Sequence, residues 1–124
     1  MTKGKSLSLI KKLSDKHESF VADLIGARKS RASGSQWNDQ TDGRQNRYES
    51  EFAFAFDCKC ALPQTKSVSV TREMWQKLED QSHGERSMLP IRFYQTDRGD
   101  VWRDLVVLNL NDFVELMERA NENG

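Results

Sequence analysis

Apolar residues recur at Ile10, Leu13, Phe20, Val21, Leu24 and Ile25, the spacing of one helix face, so the pattern predicts a helix from about Ser8 to Ala27. Residues 1–6 read as a frayed start, and Gly26 marks the stop. His17 falls within the apolar stripe and reads as a packing histidine rather than a ligand. Residues 28–50 then hold few apolar groups, which predicts a long polar loop with a short strand near Thr41–Arg44. Loops of more than about 12–15 residues in a compact domain are usually functional or disordered, which makes this the first segment to search for a site.

Glu51 to Cys60 alternates strictly, with Phe52, Phe54, Phe56, Cys58 and Cys60 on one side and Ala53, Ala55, Asp57 and Lys59 on the other. That is a strand with an aromatic core face, and its alanines leave room above the opposite face. A second helix is predicted from Thr71 to Gln81, with Thr71 as its N-cap and Met74, Trp75 and Leu78 turned inward. Leu89–Tyr94 and Asp104–Leu110 read as strands, and Asn111 as the cap of a last helix. Asp97, Asp100 and Asp104 read as an acidic, solvent-facing turn. The predicted order, α–β–β–α–β–β–α without an internal repeat, implies an α/β fold, a mixed sheet flanked by helices.

Length and composition add bounds. A chain of 124 residues, 36% hydrophobic and 31% charged, suits a single domain over 1–124. No apolar run approaches the ~20 residues of a membrane span and no signal peptide heads the chain, so a cytoplasmic protein is expected. Cys58 and Cys60 stand too close for a disulfide framework and imply a reducing compartment. Together with His17 and His83 they lack the paired knuckle of a zinc site.

Nineteen basic residues balance nineteen acidic ones, and that neutrality argues against a generally basic nucleic-acid-binding domain. The balance is not local. Residues 1–47 hold ten basic and five acidic side chains, so the N-terminal part is positive and the remainder negative. The basic part is suited to a polyanion, or is simply a lopsided solvated surface.

The chemistry concentrates on one strand face. Asp57 and Lys59 project together beside the alanines, and burying either charge needs a compensating partner. Taken alone, the plainer reading is an edge strand whose polar face meets solvent. Asp42 lies upstream in the loop sequence Thr41-Asp42-Gly43-Arg44, and two carboxylates brought together suit a hard cation such as Mg²⁺. A lysine beside them suits stabilisation of a phosphate in hydrolysis. Glu18, on the flank of the first helix stripe, is a third acid within reach of the sheet edge.

The series Asp42…Asp57-Cys58-Lys59 resembles the PD-(D/E)xK motif of restriction-endonuclease-like nucleases. Within that superfamily the chain is most similar to archaeal-type and phage-encoded Holliday junction resolvases. These place a helix glutamate, an Arg…Ser-Gly segment, an Asp and an acidic-x-Lys strand in the order Glu18, Arg31-Ala32-Ser33-Gly34-Ser35, Asp42 and Asp57-x-Lys59. A helix and a Pro-containing strand follow, as in Thr71–Gln81 and Leu89-Pro90-Ile91-Arg92-Phe93. The likeness spans roughly residues 12–94; Thr41 stands where the family has proline, and Asp57 where glutamate is commoner.

The resemblance implies a restriction-endonuclease-like mixed sheet and a metal-dependent, structure-selective endonuclease acting on four-way DNA junctions, working as a homodimer. It implies Mg²⁺ or Mn²⁺ held by Asp42, Asp57 and the backbone carbonyl of Cys58, with Lys59 positioning the attacking water and Glu18 completing the outer shell. Arg28, Lys29, Arg31, Arg44 and Arg47 would grip the DNA backbone, and Ser33, Gly34 and Ser35 would admit a phosphate. The same serines and glycine are equally an ordinary flexible loop, and Trp37 either stacks on a base or packs locally. Two alternatives stay open: a relative acting on flaps or other branched DNA, and a catalytically inert DNA-binding accessory protein of a phage. A phage-encoded protein would work in the bacterial host cytoplasm.

Overall fold

In the computed structural model, residues 3–29 and 41–123 are described. Arg31, Ser33, Gly34, Ser35 and Trp37 lie outside the described residues. Helix α1 runs Lys3–Ile25, starting inside the stretch expected to fray. It ends where Gly26 takes a left-handed φ of +66° and the Ala27 N–H closes back on the Ala22 carbonyl at 2.8 Å. That is the wrap glycine permits at a helix end, where a Cβ would be strained.

Short strands β1 (Arg28–Lys29) and β2 (Gly43–Arg44) follow, then β3 (Phe54–Phe56), β4 (Lys59–Ala61), helix α2 (Arg72–Ser82), β5 (Arg86–Tyr94), β6 (Val101–Leu108) and helix α3 (Leu110–Asn123). They form one six-stranded mixed sheet. β1 pairs antiparallel with β2 and β2 with β3, β3 and β4 are both parallel to β5, and β6 is antiparallel to β5.

β5 is the organising strand, buried along nearly its whole length. Its successive residues serve opposite faces. Met88 joins Val21, Ala22, Phe54 and Phe56 beneath α1, whereas Leu89 and Ile91 join Leu78 of α2. The sheet is therefore covered by α1 on one face and α2 on the other, and a strand buried on both faces needs the near-continuous apolar run seen here. The alanine face is not open: Ala53 and Ala55 are buried, and α2 packs against β3 and β5 there. The small side chains make room for a helix, not for a ligand.

The strand expected over Glu51–Cys60 is split. Phe56 pairs with Met88 and Lys59 with Ile91, so β3 and β4 share one register and only Asp57–Cys58, opposite Leu89–Pro90, interrupt it. The peptide groups of Arg86 and Met88 face this edge, taking part in Arg86 N to Ala53 O and Asp57 N to Met88 O bonds. Alternation sends the peptide of position 90 the same way, toward the Asp57 carbonyl. Proline has no N–H to give, and the ladder opens at that point.

Thr71 caps α2 as expected, accepting the Met74 N–H at 3.1 Å. The cap of α3 is Asn109 rather than Asn111, since the Asn109 carboxamide oxygen accepts the Asn111 N–H and its carbonyl the Phe113 N–H. Asp104 is not in a solvent turn. It lies on β6 and binds Arg92 of β5 through both carboxylate oxygens, at 2.7 and 3.0 Å. Arg92 is itself buried, stacked over Phe20 at 4.5 Å beside the buried His17. Among the described residues no helix is long and apolar enough to cross a membrane.

Candidate active site at a strand break

Three local features bring Asp42 to the interruption between β3 and β4. Gly43 is the first. A Cβ there would stand 2.5 Å from the Phe56 ring, so only glycine lets β2 close onto β3 with that ring between α1 and the sheet. Gln45 is the second: its side chain donates to the Ile25 carbonyl at 2.7 Å and accepts the Phe54 N–H at 2.9 Å, clipping the end of α1 to the strand. The third is the pairing of Gly43 with Phe56, which sets Asp42 alongside Asp57.

The two aspartates are interlocked through the backbone. The Asp42 N–H donates to Asp57 Oδ1 at 3.0 Å and to the Phe56 carbonyl at 2.9 Å, and Asp42 Oδ2 accepts the Cys58 N–H at 2.7 Å. One oxygen of each carboxylate is thus oriented by an amide. The other has no hydrogen-bond donor among the described residues.

Their electrostatics report close approach. Burial pushes the Asp42 carboxyl up, opposed by the Cys58 amide and by Lys59 and Lys29. Burial also pushes Asp57 up, reinforced by the charge of Asp42 and opposed by the Asp42 amide, Lys59 and Lys77. Glu18, reaching in from α1, is raised from 4.5 to about 7, first by burial and then by Asp42. The Cys58 thiol, packed toward the α1 core, is pushed well up by burial and then by Asp42, Glu18 and Asp57. Glu18, Asp42 and Asp57 therefore all bear on the Cys58 thiol, and Lys59 bears on both aspartates, although these residues lie far apart in the sequence.

The donor set fits a hard divalent cation. It offers two partly buried carboxylates, each with an oxygen left over and each destabilised as an anion by burial, next to a gap in the sheet where backbone carbonyls are available. Among the described residues no three His, Cys, Asp or Glu side chains form a complete ligand group. Two carboxylates with backbone and water completing the shell is the arrangement Mg²⁺ favours.

The basic residues divide. Lys29 stands at the carboxylates, hydrogen-bonded to Ser19 and bearing on both Glu18 and Asp42. Arg28, Arg44 and Arg47 line a groove of about 540 Å³ together with Tyr48, Glu49 and Glu85. Arg44 is committed internally: it donates to Glu85 at 2.8 Å, to the Gln81 carbonyl at 2.9 Å and to the Ser82 carbonyl at 3.3 Å. It thereby caps the C-terminus of α2, whose last turn has no basic residue of its own. Arg47 also reaches the His83 carbonyl, yet it is half exposed.

Lys77 is the site residue that sequence reasoning missed. It sits on the exposed side of α2, where spacing marks only a solvated lysine, and only the packing of α2 over β3 brings its charge to bear on Asp57. No protein-family model matches the chain, and neither a curated protein nor a solved structure matches it, so the functional reading rests on the geometry above.

Proposed function

We propose that this chain is a divalent-cation-dependent endodeoxyribonuclease with a restriction-endonuclease-like fold, and that its substrate is the four-way DNA junction. The observation that carries the reading is the interlocked Asp42–Asp57 pair at the strand break, with Lys59 at its side and Glu18 facing it from α1. Asp42, Asp57 and the Cys58 carbonyl would hold Mg²⁺ or Mn²⁺, which when bound supplies positive charge to the phosphodiester oxygens.

The chain's own groups do the rest. Lys59, exposed at the start of β4, orients the attacking water and offsets charge on the phosphate. Glu18, facing the aspartates from α1, accepts a proton from that water as its oxygen adds to phosphorus; the P–O bond to the leaving sugar oxygen then breaks, and that oxygen takes its proton from solvent water. Lys29 holds the phosphate against the carboxylates, and Arg28 and Arg47 take up the backbone of an adjoining arm without reading bases.

The test is incubation with labelled four-way junctions, flaps and linear duplex, with and without Mg²⁺. Metal-dependent cutting that favours the junction is the expected result. Equal cutting of duplex removes the junction assignment, preferred cutting of flaps reassigns the substrate, and binding without metal-dependent cutting removes the nuclease reading.

A further inference from the structure

A second cavity, of about 350 Å³, opens where β4 and β5 end, lined by Leu62, Pro63, Lys66, Phe93, Gln95 and Trp102. Its aromatic wall is set by an irregularity in the sheet. Arg103 pairs with Phe93 and Val101 with Tyr94, which leaves Trp102 between them as a bulge on β6. A bulge re-aims the side chain it carries. Trp102 stands perpendicular to Phe93, with ring centres 6.1 Å apart and planes at 85°, yet 53% of it is exposed. Arg103 lies over the same indole at 4.9 Å, and Tyr94 ties the wall to α1, its hydroxyl donating to the Leu13 carbonyl at 2.7 Å.

The polar content of the cavity is sparse and of one sign. Lys66 is the single charged residue of the lining, which holds no acidic side chain. Among the described residues, neither the Lys66 ammonium nor the Gln95 carboxamide has a partner. Flat apolar walls with one cation and one amide, in a cavity of this size, fit a single planar ring that carries an anionic group. A nucleobase with its phosphate has that chemistry.

Position ties the cavity to the aspartates. The Cys60 sulfur lies 3.5 Å from the Ser14 hydroxyl of α1, so alternation turns Lys59 and Ala61 to the opposite face of the sheet. Ala61 pairs with Phe93, which packs on that face against the Leu78, Leu89 and Ile91 cluster. Pro63 follows Lys59 by four residues and so stands at most about 14 Å from it. That is the length of about four stacked nucleotides of one strand.

We infer that this cavity takes an unpaired nucleobase of the strand being cut, a few nucleotides from the scissile phosphate. The base stacks against Trp102 and Pro63, Lys66 and Arg103 hold its phosphate, and Gln95 meets its polar edge. The inference rests on the nuclease reading for the identity of the strand, and it makes strand opening beside the cut, rather than branching alone, a requirement on the substrate.

Binding in EDTA, where no metal-dependent cutting can occur, tests it by fluorescence anisotropy. The probes are a labelled single strand of about twelve nucleotides, the same strand with abasic sites throughout, and the paired duplex. The base-bearing strand should bind most tightly. Trp102→Ala, with its fold checked by circular dichroism and thermal unfolding, should weaken that strand about tenfold or more and leave the abasic strand unchanged. Trp102→Phe, which keeps a ring, should retain most of the affinity. Deoxyadenosine monophosphate should displace the strand only weakly. Equal affinity of the wild type for base-bearing and abasic strands overturns the inference without any variant, as does a wild type that binds neither. So does a folded Trp102→Ala chain that binds as before, and displacement by micromolar monophosphate reassigns the cavity to a free nucleotide. Junction cutting with Mg²⁺ is read separately. A chain that stacks bases on Trp102 but cuts nothing loses the nuclease reading and keeps the base site, whereas junction cutting without base-dependent binding does the reverse.

Discussion

The N–H of Asp42 donates to the carboxylate of Asp57 across the gap between β2 and the end of β3, at 3.0 Å. Asp42 then spends its own carboxylate on the next amide of the same strand, that of Cys58, at 2.7 Å. Two residues that ought to repel are held together by backbone donors. Each keeps a second oxygen without a hydrogen-bond donor among the described residues, and the charges of Lys59 and Glu18 bear on this neighbourhood.

Asp57→Asn is the direct probe of that arrangement. The amide keeps an oxygen for the Asp42 N–H but removes the charge. Metal-dependent cleavage should fall by about a thousandfold or more, while junction affinity holds and the melting temperature does not drop, because burial and the repulsion from Asp42 already disfavour the anion. Cleavage assays, gel shift and thermal unfolding read the three quantities. Cutting that survives the substitution removes Asp57 from the site.

Arginines that look alike in the sequence should separate cleanly. Arg44→Ala leaves the buried Glu85 without its closest cation and α2 without its C-terminal cap, and should cost about 3 kcal/mol in urea unfolding. Arg47→Ala, at a half-exposed position beside the groove, should leave stability unchanged and lower the salt dependence of DNA binding by about one unit of slope. If Arg44→Ala is fully stable and only DNA binding suffers, Arg44 belongs to the DNA surface.

Arg92 and Asp104 lock β5 to β6 beneath α1. Removing the arginine exposes a pocket built for a cation stacked on Phe20, and Arg92→Ala should destabilise by about 3 kcal/mol. Asp104→Asn should cost less, since the Asp104 carboxylate is 38% exposed. A double-mutant cycle on the two measures their coupling, which should be at least about 1 kcal/mol.

His17 and Glu18, neighbours on α1, should titrate with opposite effects. His17 is 1% exposed, its Nδ1 has no partner among the described residues, and burial with help from Arg92 lowers its pKa to about 4. The unfolded chain therefore binds the proton first as pH falls from 6.5 toward 4, and the fold loses about 3 kcal/mol over that window. Glu18, raised to about 7, binds its proton first in the folded state, so the fold gains stability as pH falls from 7 toward 4.5. The wild-type profile should be shallow. Relative to wild type, His17→Phe should become more stable on acidification and Glu18→Gln less stable, as measured by urea unfolding at pH 7 and pH 4.5.

Much of the architecture was legible in the chain because it is local. The stop at Gly26 and the cap at Thr71 each act within a few residues, and each appears where the pattern puts it; of the α1 stripe, Leu13 and Val21 are buried as expected, whereas Ile10, Phe20 and Leu24 are exposed. The alternation of Phe54, Phe56, Cys58 and Cys60 likewise identified the face that meets α1. Glu18, Asp42, Asp57 and Lys59 could be nominated from their order alone. Whether they meet could not, since it depends on Gly43 admitting the Phe56 ring and on Pro90 withholding an amide from the neighbouring strand. Periodicity also says which helix face is apolar, but not which way that face will turn. Only the packed structure shows that α3 spends its charged side on Arg86 and Glu51 and leaves Phe113 and Val114 in water, because ion pairs between elements far apart in sequence leave no trace in a local pattern.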